Sequence, residues 1–222
     1  MRGFINEREN GVRKMTFESI RILIVDDHPV LRDGLASILG GQADMEIVGE
    51  ASDGAEAIAQ FERLRPDVTL MDLQMPGMSG IEAIETIRRH SPNTRIVVLT
   101  TYDGDVQAVR AMKAGASGYL LKSSVRRELV DVVRAVHGGK RHLPAEIAQE
   151  IALHAIDEPL SGREIEVLQH VASGRANKEI AWELGVTEDT VKAHMKSIFS
   201  KLDVGDRTHA VTVAMRRGYL KQ

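Results

Sequence analysis

The chain has 222 residues, 43% hydrophobic and 27% charged, with a net charge of −3 at pH 7. That length suits two small domains or one large one, and the apolar content excludes a wholly disordered chain. With no cysteine, disulfide scaffolds and thiolate metal sites are excluded, and no apolar run reaches the length of a membrane span.

The opening "MRGFINERENGVRKMTFES" mixes both charges and lacks the apolar centre of a signal peptide, so residues 1–19 read as a disordered extension and a soluble cytoplasmic protein is expected. From residue 20 a short β-branched run, a turn and an amphipathic stretch recur. Strands are expected at 21–26, 46–51, 67–72, 95–100 and 117–121, with helices at about 29–40, 54–64, 79–90, 104–114 and 124–138. Five successive βα units predict a parallel sheet with helices on both faces, and near-continuous apolar strands agree with burial on both sides.

In such sheets ligands bind beyond the carboxyl ends of the strands, where strand order reverses. Here those ends carry Asp26 and Asp27, Asp72, Thr100 and Lys122. Converging carboxylates repel one another and raise each other's pKa unless a cation joins them. Carboxylates, a backbone carbonyl (that of Gln74) and waters suit Mg²⁺. Asp72 is the expected nucleophile toward a phosphoryl group, with Lys122 pairing a phosphate oxygen and the Thr100 hydroxyl closing on it. Taken singly, "DDHP" is a helix entry, "MDLQMPG" a strand end with a turn, Thr100 a strand former and Lys122 a solvated charge. Their convergence on one sheet edge is what points to chemistry.

Residues 20–138 resemble the receiver domain of bacterial two-component response regulators of the NarL/FixJ subfamily. The resemblance rests on "LIVDDHPVLRDGL", "DVTLMDLQMPGMSGIEAI" and "RIVVLTTYDGDVQAVRAMKAGASGYLLK" in that order. It implies a flavodoxin-like (βα)5 fold in which Asp72 accepts phosphate from a sensor histidine kinase. It further implies that Asp26 and Asp27 bind Mg²⁺, and that Thr100 and Tyr119 form a switch pair whose ring turns inward as the hydroxyl meets phosphate.

Residues 139–156 read as a linker with a short helix at 145–155, and its Gly-Gly start suits domain release. From about residue 157 the pattern is helical throughout, predicting a small all-α domain at 157–222. Ser161 with Glu164 forms a capping box, Asn177 is expected to cap the next helix, Thr187 caps a helix from 188 to 202, and Asp206 caps the last. The Gly185–Val186–Thr187 turn between two helices marks a helix-turn-helix at about 176–195, whose second helix is expected in the major groove of DNA. On that helix Val191, Met195, Ile198, Phe199 and Leu202 share the apolar side. Asp189, Lys192, Ala193, Lys196, Ser197 and Ser200 share the opposite one. Lys192 and Lys196 suit guanine or phosphate, and Ala193 a thymine methyl. An α-hairpin with a solvated charged face is the bland alternative.

This segment resembles the four-helix LuxR-type helix-turn-helix domain through "LSGREIEVL", "GRANKEIAWELGVTEDTVKAHMKSIFSKLDV" and "RTHAV". The resemblance implies that Lys192, Ala193 and Lys196 face bases and that Lys178, Thr190 and Lys201 approach the backbone. It also implies a homodimer on paired half-sites of double-stranded DNA. Trp182 departs from the small or aliphatic residues usual there and reads as a packing variation.

The expected function is a phosphorylation-controlled transcription factor with no membrane partner. One alternative is a phosphorylation-independent regulator using its receiver only to dimerise. Another is an aspartyl-phosphate phosphotransferase, disfavoured because Gln74 stands where a general acid two residues after the nucleophile is needed. Self-phosphorylation and slow hydrolysis at Asp72 are the only turnover expected.

Overall fold

The structure, a computed structural model, describes residues 19–101, 104–154 and 157–220. The expected N-terminal disorder, apart from Ser19, and the end of the helix expected at 145–155 lie outside the described residues. Strands β1 (Ile20–Val25), β2 (Met45–Ala51), β3 (Val68–Asp72), β4 (Ile96–Thr100) and β5 (Gly118–Leu121) form one parallel sheet in the order β2-β1-β3-β4-β5. Between and after them run α1 (Pro29–Gly40), α2 (Gly54–Leu64), α3 (Gly80–His90), α4 (Asp105–Ala114) and α5 (Val125–His137), with a 3-10 turn at Lys122–Ser124.

Alternate strand residues face opposite sides of the sheet. Ile22, Ile24 and Leu70 pack with Leu35 of α1 and Leu129 of α5. Leu23, Val25 and Met71 meet Phe61 of α2 and Ile84 of α3 on the other side. Strand order reverses between β1 and β3, so a crevice opens at their carboxyl ends. The loop behind β3 is drawn tight at Gly80: a Cβ there would lie 2.0 Å from the Asp72 carbonyl oxygen, a space only glycine leaves.

The linker is docked. His142 donates its N–H to the Ser117 carbonyl (3.1 Å), and its carbonyl accepts from the Tyr119 N–H (2.9 Å), so it pairs with the edge of β5. The helix that follows, α6 (Ala145–Leu153), buries Ile147 in the core of the first domain. The Gly-Gly start therefore turns the chain back onto the sheet edge instead of freeing it.

The C-terminal helices are α7 (Gly162–Ala172), α8 (Asn177–Leu184), α9 (Glu188–Leu202) and α10 (Arg207–Arg216), packed around Leu168, Ile180, Val191, Ile198 and Ala214. Ser161 with Glu164, Thr187 and Asp206 cap three of them, and Gly185 takes the left-handed conformation (φ 64°) that ends α8. The cap of α8 differs from expectation. Ala176 is the capping residue, its N–H donating to Glu179 Oε2 at 2.6 Å, while Asn177 begins the helix. The Asn177 side chain accepts instead from Arg207 of α10, 3.3 Å away, which removes it from capping.

Candidate functional site

Asp72 is the last residue of β3, and Asp26 and Asp27 follow β1, so adjacent parallel strands deliver three carboxylates to one place. Asp26 and Asp72 are almost wholly buried, at 0% and 2% exposure. Lys122, at the first position after β5, reaches back with Nζ 2.7 Å from Oδ2 of Asp26 and 2.7 Å from Oδ2 of Asp72. The Gln74 N–H donates to Asp72 Oδ1 (3.2 Å), so this residue reaches the crevice through its amide.

Burial pushes the Asp72 carboxyl above its ordinary pKa, assisted by the Asp26 charge and opposed by Lys122 and the Gln74 amide. Burial alone would lower Lys122, but its two carboxylate partners outweigh it and hold the ammonium above its ordinary value. A buried cluster with more acid than base is thus held by one ammonium, and it is chemically suited to take up a further cation. Carboxylate oxygens of Asp26, Asp27 and Asp72 and a ring nitrogen of His28 all lie within 4.8 Å of one another. Three hard oxygen donors so close together fit a divalent cation.

His28 was not foreseen. Its Nδ1 lies 2.7 Å from Asp27 Oδ1 and 3.1 Å from Asp26 Oδ1, covering the outer side of the carboxylates. Its place in "DDHP" was a signal, overshadowed by the proline after it. Thr100 is buried at the end of β4, and Tyr119 on β5 is fully buried in the core. The ring of the expected switch pair is therefore already inward.

In the C-terminal domain Lys192, Ala193 and Lys196 lie exposed on α9, and Lys178 is exposed on α8. Lys192 Nζ stands 3.2 Å from Asp189 and 3.4 Å from Glu188, one turn back on the helix. Thr190 shares a hydroxyl hydrogen bond with Thr187 (2.9 Å) at the helix start. Two expectations need correction, those for Ser197 and Trp182. Ser197 is not on the open face: its hydroxyl donates to Glu164 Oε1 at 2.6 Å. Lys201 is also turned inward, 3.0 Å from both Glu164 and Glu158, because the buried Glu164 carboxylate draws it. Trp182 does not pack; its side chain stands 87% exposed, since Ile180 and Ala181 already fill the buried side of α8.

Burial works against ionisation of Glu164, yet the Ser197 hydroxyl, the Ser161 N–H and Lys201 outweigh it and hold the carboxyl down to about 2. This residue is the polar knot between α7 and α9, and it orients the helix that carries the exposed lysines.

Residues 22–134 match the family model of the response regulator receiver domain, and residues 158–214 match that of bacterial regulatory proteins of the luxR family. The chain is 44% identical over 205 residues to the transcriptional regulatory protein LiaR of Bacillus subtilis, covering 89% of this chain and 97% of LiaR. Among solved structures, RcsB of Salmonella enterica serovar Typhimurium bound to promoter P1flhDC in the presence of phosphomimetic BeF3− superposes with a TM-score of 0.69. It has 29% identity and covers 88% of this chain and 98% of that one. A structure of two RcsB dimers bound to two parallel DNAs gives 0.67 at 28% identity, covering 90% and 99%.

Proposed function

Since the chain belongs to the two-component response regulators that join a receiver to a LuxR-type DNA-binding domain, we propose that it is a transcriptional regulator switched by phosphorylation of Asp72. The observation that carries the proposal is the buried Asp72 at the end of β3, held with Asp26 by the Lys122 ammonium. A carboxylate oxygen of Asp72 forms an O–P bond as the N–P bond of a sensor kinase phosphohistidine breaks, and the imidazole takes up a proton. Lys122 then pairs with a phosphoryl oxygen, and the Thr100 hydroxyl donates to another. Asp26, Asp27, Asp72 and the Gln74 carbonyl are the residues to hold Mg²⁺, which when bound neutralises charge on the transferred group. The turnover envisaged is self-phosphorylation and slow hydrolysis, so the protein is substrate as much as catalyst.

For DNA, Lys192, Ala193 and Lys196 are the base-facing candidates, with Lys178 and Thr190 toward the backbone. RcsB dimers bound to DNA support a homodimer on paired half-sites. No helix among the described residues is long and apolar enough to cross a membrane, and a cytoplasmic place beside a kinase suits this reading.

The test is incubation with Mg²⁺ and acetyl phosphate. Wild type should take up phosphate that hydroxylamine removes, and Asp72→Asn should take up none. Equal uptake by both, or uptake with no change in DNA binding by wild type, would overturn the reading.

A further inference from the structure

His28 holds a place in the acidic crevice that its position in the chain does not require. It stands just before α1, and Pro29 after it opens that helix. A side chain at such a point often caps the first-turn amides, but His28 makes no cap hydrogen bond. Its ring turns to the carboxylates instead. Asp26 Oδ1 fixes that turn: it accepts the His28 backbone N–H at 2.9 Å and lies 3.1 Å from the ring Nδ1. The same ring nitrogen is 2.7 Å from Asp27 Oδ1.

The two oxygens of Asp26 are used on different sides. Oδ2 meets Lys122, whose side chain is only 13% exposed, while Oδ1 meets His28, whose ring is 67% exposed. A cation entering from solvent therefore reaches Asp27 and His28 without displacing the ammonium. Neighbouring donors on one cation, with bonds of about 2.1 Å, stand about 3.0–3.4 Å apart. The separations of 2.7 and 3.1 Å from Nδ1 come close to that spacing, and an exposed ring has room to adjust.

We infer that His28 is a metal ligand of this crevice, one that raises its affinity for Zn²⁺ without raising it for Mg²⁺. The inference rests on the reading of the crevice as a cation site given above. Mg²⁺ is hard, takes oxygen donors and keeps several of its waters, so an imidazole adds little to its binding. Zn²⁺ takes imidazole nitrogen and carboxylate oxygen together at about 2.0–2.2 Å, and one imidazole beside two or three carboxylates suits it. The carboxylates serve either metal. His28 supplies the donor that separates the two, and so sets which cation sits beside Asp72.

The experiment titrates the full chain with Zn²⁺ or Mg²⁺ alone and follows it by nitrogen NMR. The Gln74 amide, which donates to Asp72, reports occupancy of the crevice, and the imidazole nitrogens report ligation. Zn²⁺ should move the His28 Nδ1 resonance to the position of a metal-bound nitrogen, and Mg²⁺ should not. In His28→Ala, Zn²⁺ affinity read at Gln74 should fall at least about tenfold, since even an outer-shell partner of a ligand is worth that much. Mg²⁺ affinity should stay within about twofold, and the metal-free melting temperature should match wild type because the ring lies outside the core. Zn²⁺ that moves only other imidazoles, or equal losses of both metals in His28→Ala, would overturn the inference and leave the cation site standing. If neither metal moves the Gln74 amide of the wild-type chain, the reading of the crevice as a cation site fails, and the role of His28 fails with it.

Discussion

Lys122 Nζ stands 2.7 Å from a carboxylate oxygen of Asp26 and equally far from one of Asp72, so a single ammonium joins the ends of β1 and β3. Its removal leaves two buried carboxylates facing each other. Lys122→Ala should cost about 3–5 kcal/mol in a chelating buffer, the range for a broken buried pair. Magnesium should restore much of that loss by supplying the missing positive charge. Thermal melts with and without Mg²⁺ check this, and a larger magnesium shift in the variant than in wild type is the expected outcome.

Gly80 should tolerate no side chain, because a Cβ would meet the Asp72 carbonyl oxygen at 2.0 Å and the backbone of Leu73 at 2.9 Å. Gly80→Ala should destabilise by about 1–3 kcal/mol or more through forced backbone shifts. Gly34, inside α1 with open space around it, is the contrast: Gly34→Ala should stabilise by about 0.5–1 kcal/mol. Denaturant unfolding of both variants separates the effects.

Glu164 gives the C-terminal domain an acid sensitivity. Its folded pKa of about 2 lies below the ordinary 4.5, so its stabilising contribution is complete above about 4.5 and is lost as the pH falls through about 2. The shift corresponds to roughly 3 kcal/mol. The stability difference between wild type and Glu164→Gln should therefore be largest near neutral pH and fall to less than half by about pH 3. A difference that stays constant with pH would show that ionisation of Glu164 is not what stabilises the domain.

Two lysines of α9 should behave differently. Lys192→Ala, on the exposed face, should weaken DNA binding by about 1–3 kcal/mol and relax the preference at the base it faces, with little effect on stability. Lys201→Ala removes a partner of Glu164 and Glu158, so it should lower stability and leave base preference unchanged. Binding titrations across duplexes of different sequence, paired with melts, tell them apart.

Trp182 is the chain's one tryptophan and lies in water. Trp182→Ala should change stability by no more than about 0.5 kcal/mol, as for an exposed residue away from any packing. Wild-type emission should be that of a solvated indole, and steady-state fluorescence with denaturant unfolding checks both points.

Much of this molecule follows from its local pattern. β-Branched runs alternating with amphipathic stretches determined the five βα units, and Ser161, Thr187 and Asp206 marked helix starts through contacts three residues away. Parallel topology then brought Asp26, Asp72 and Lys122 to one edge, because the crevice of such a sheet follows from strand order. Other features were open to no such reasoning. The Asp105–Arg217 pair spans 112 residues, and the Ser197 and Lys201 contacts with Glu164 span 33 and 37. A helical wheel placed Ser197 outside, and only the packing of α7 against α9 turned it inward. Trp182 showed the converse, a large apolar residue left in solvent because smaller neighbours had filled the core. Periodicity determines which side of an element is apolar; which charge meets which across the chain is decided when whole elements pack, since burying a charge demands a partner wherever the fold supplies one.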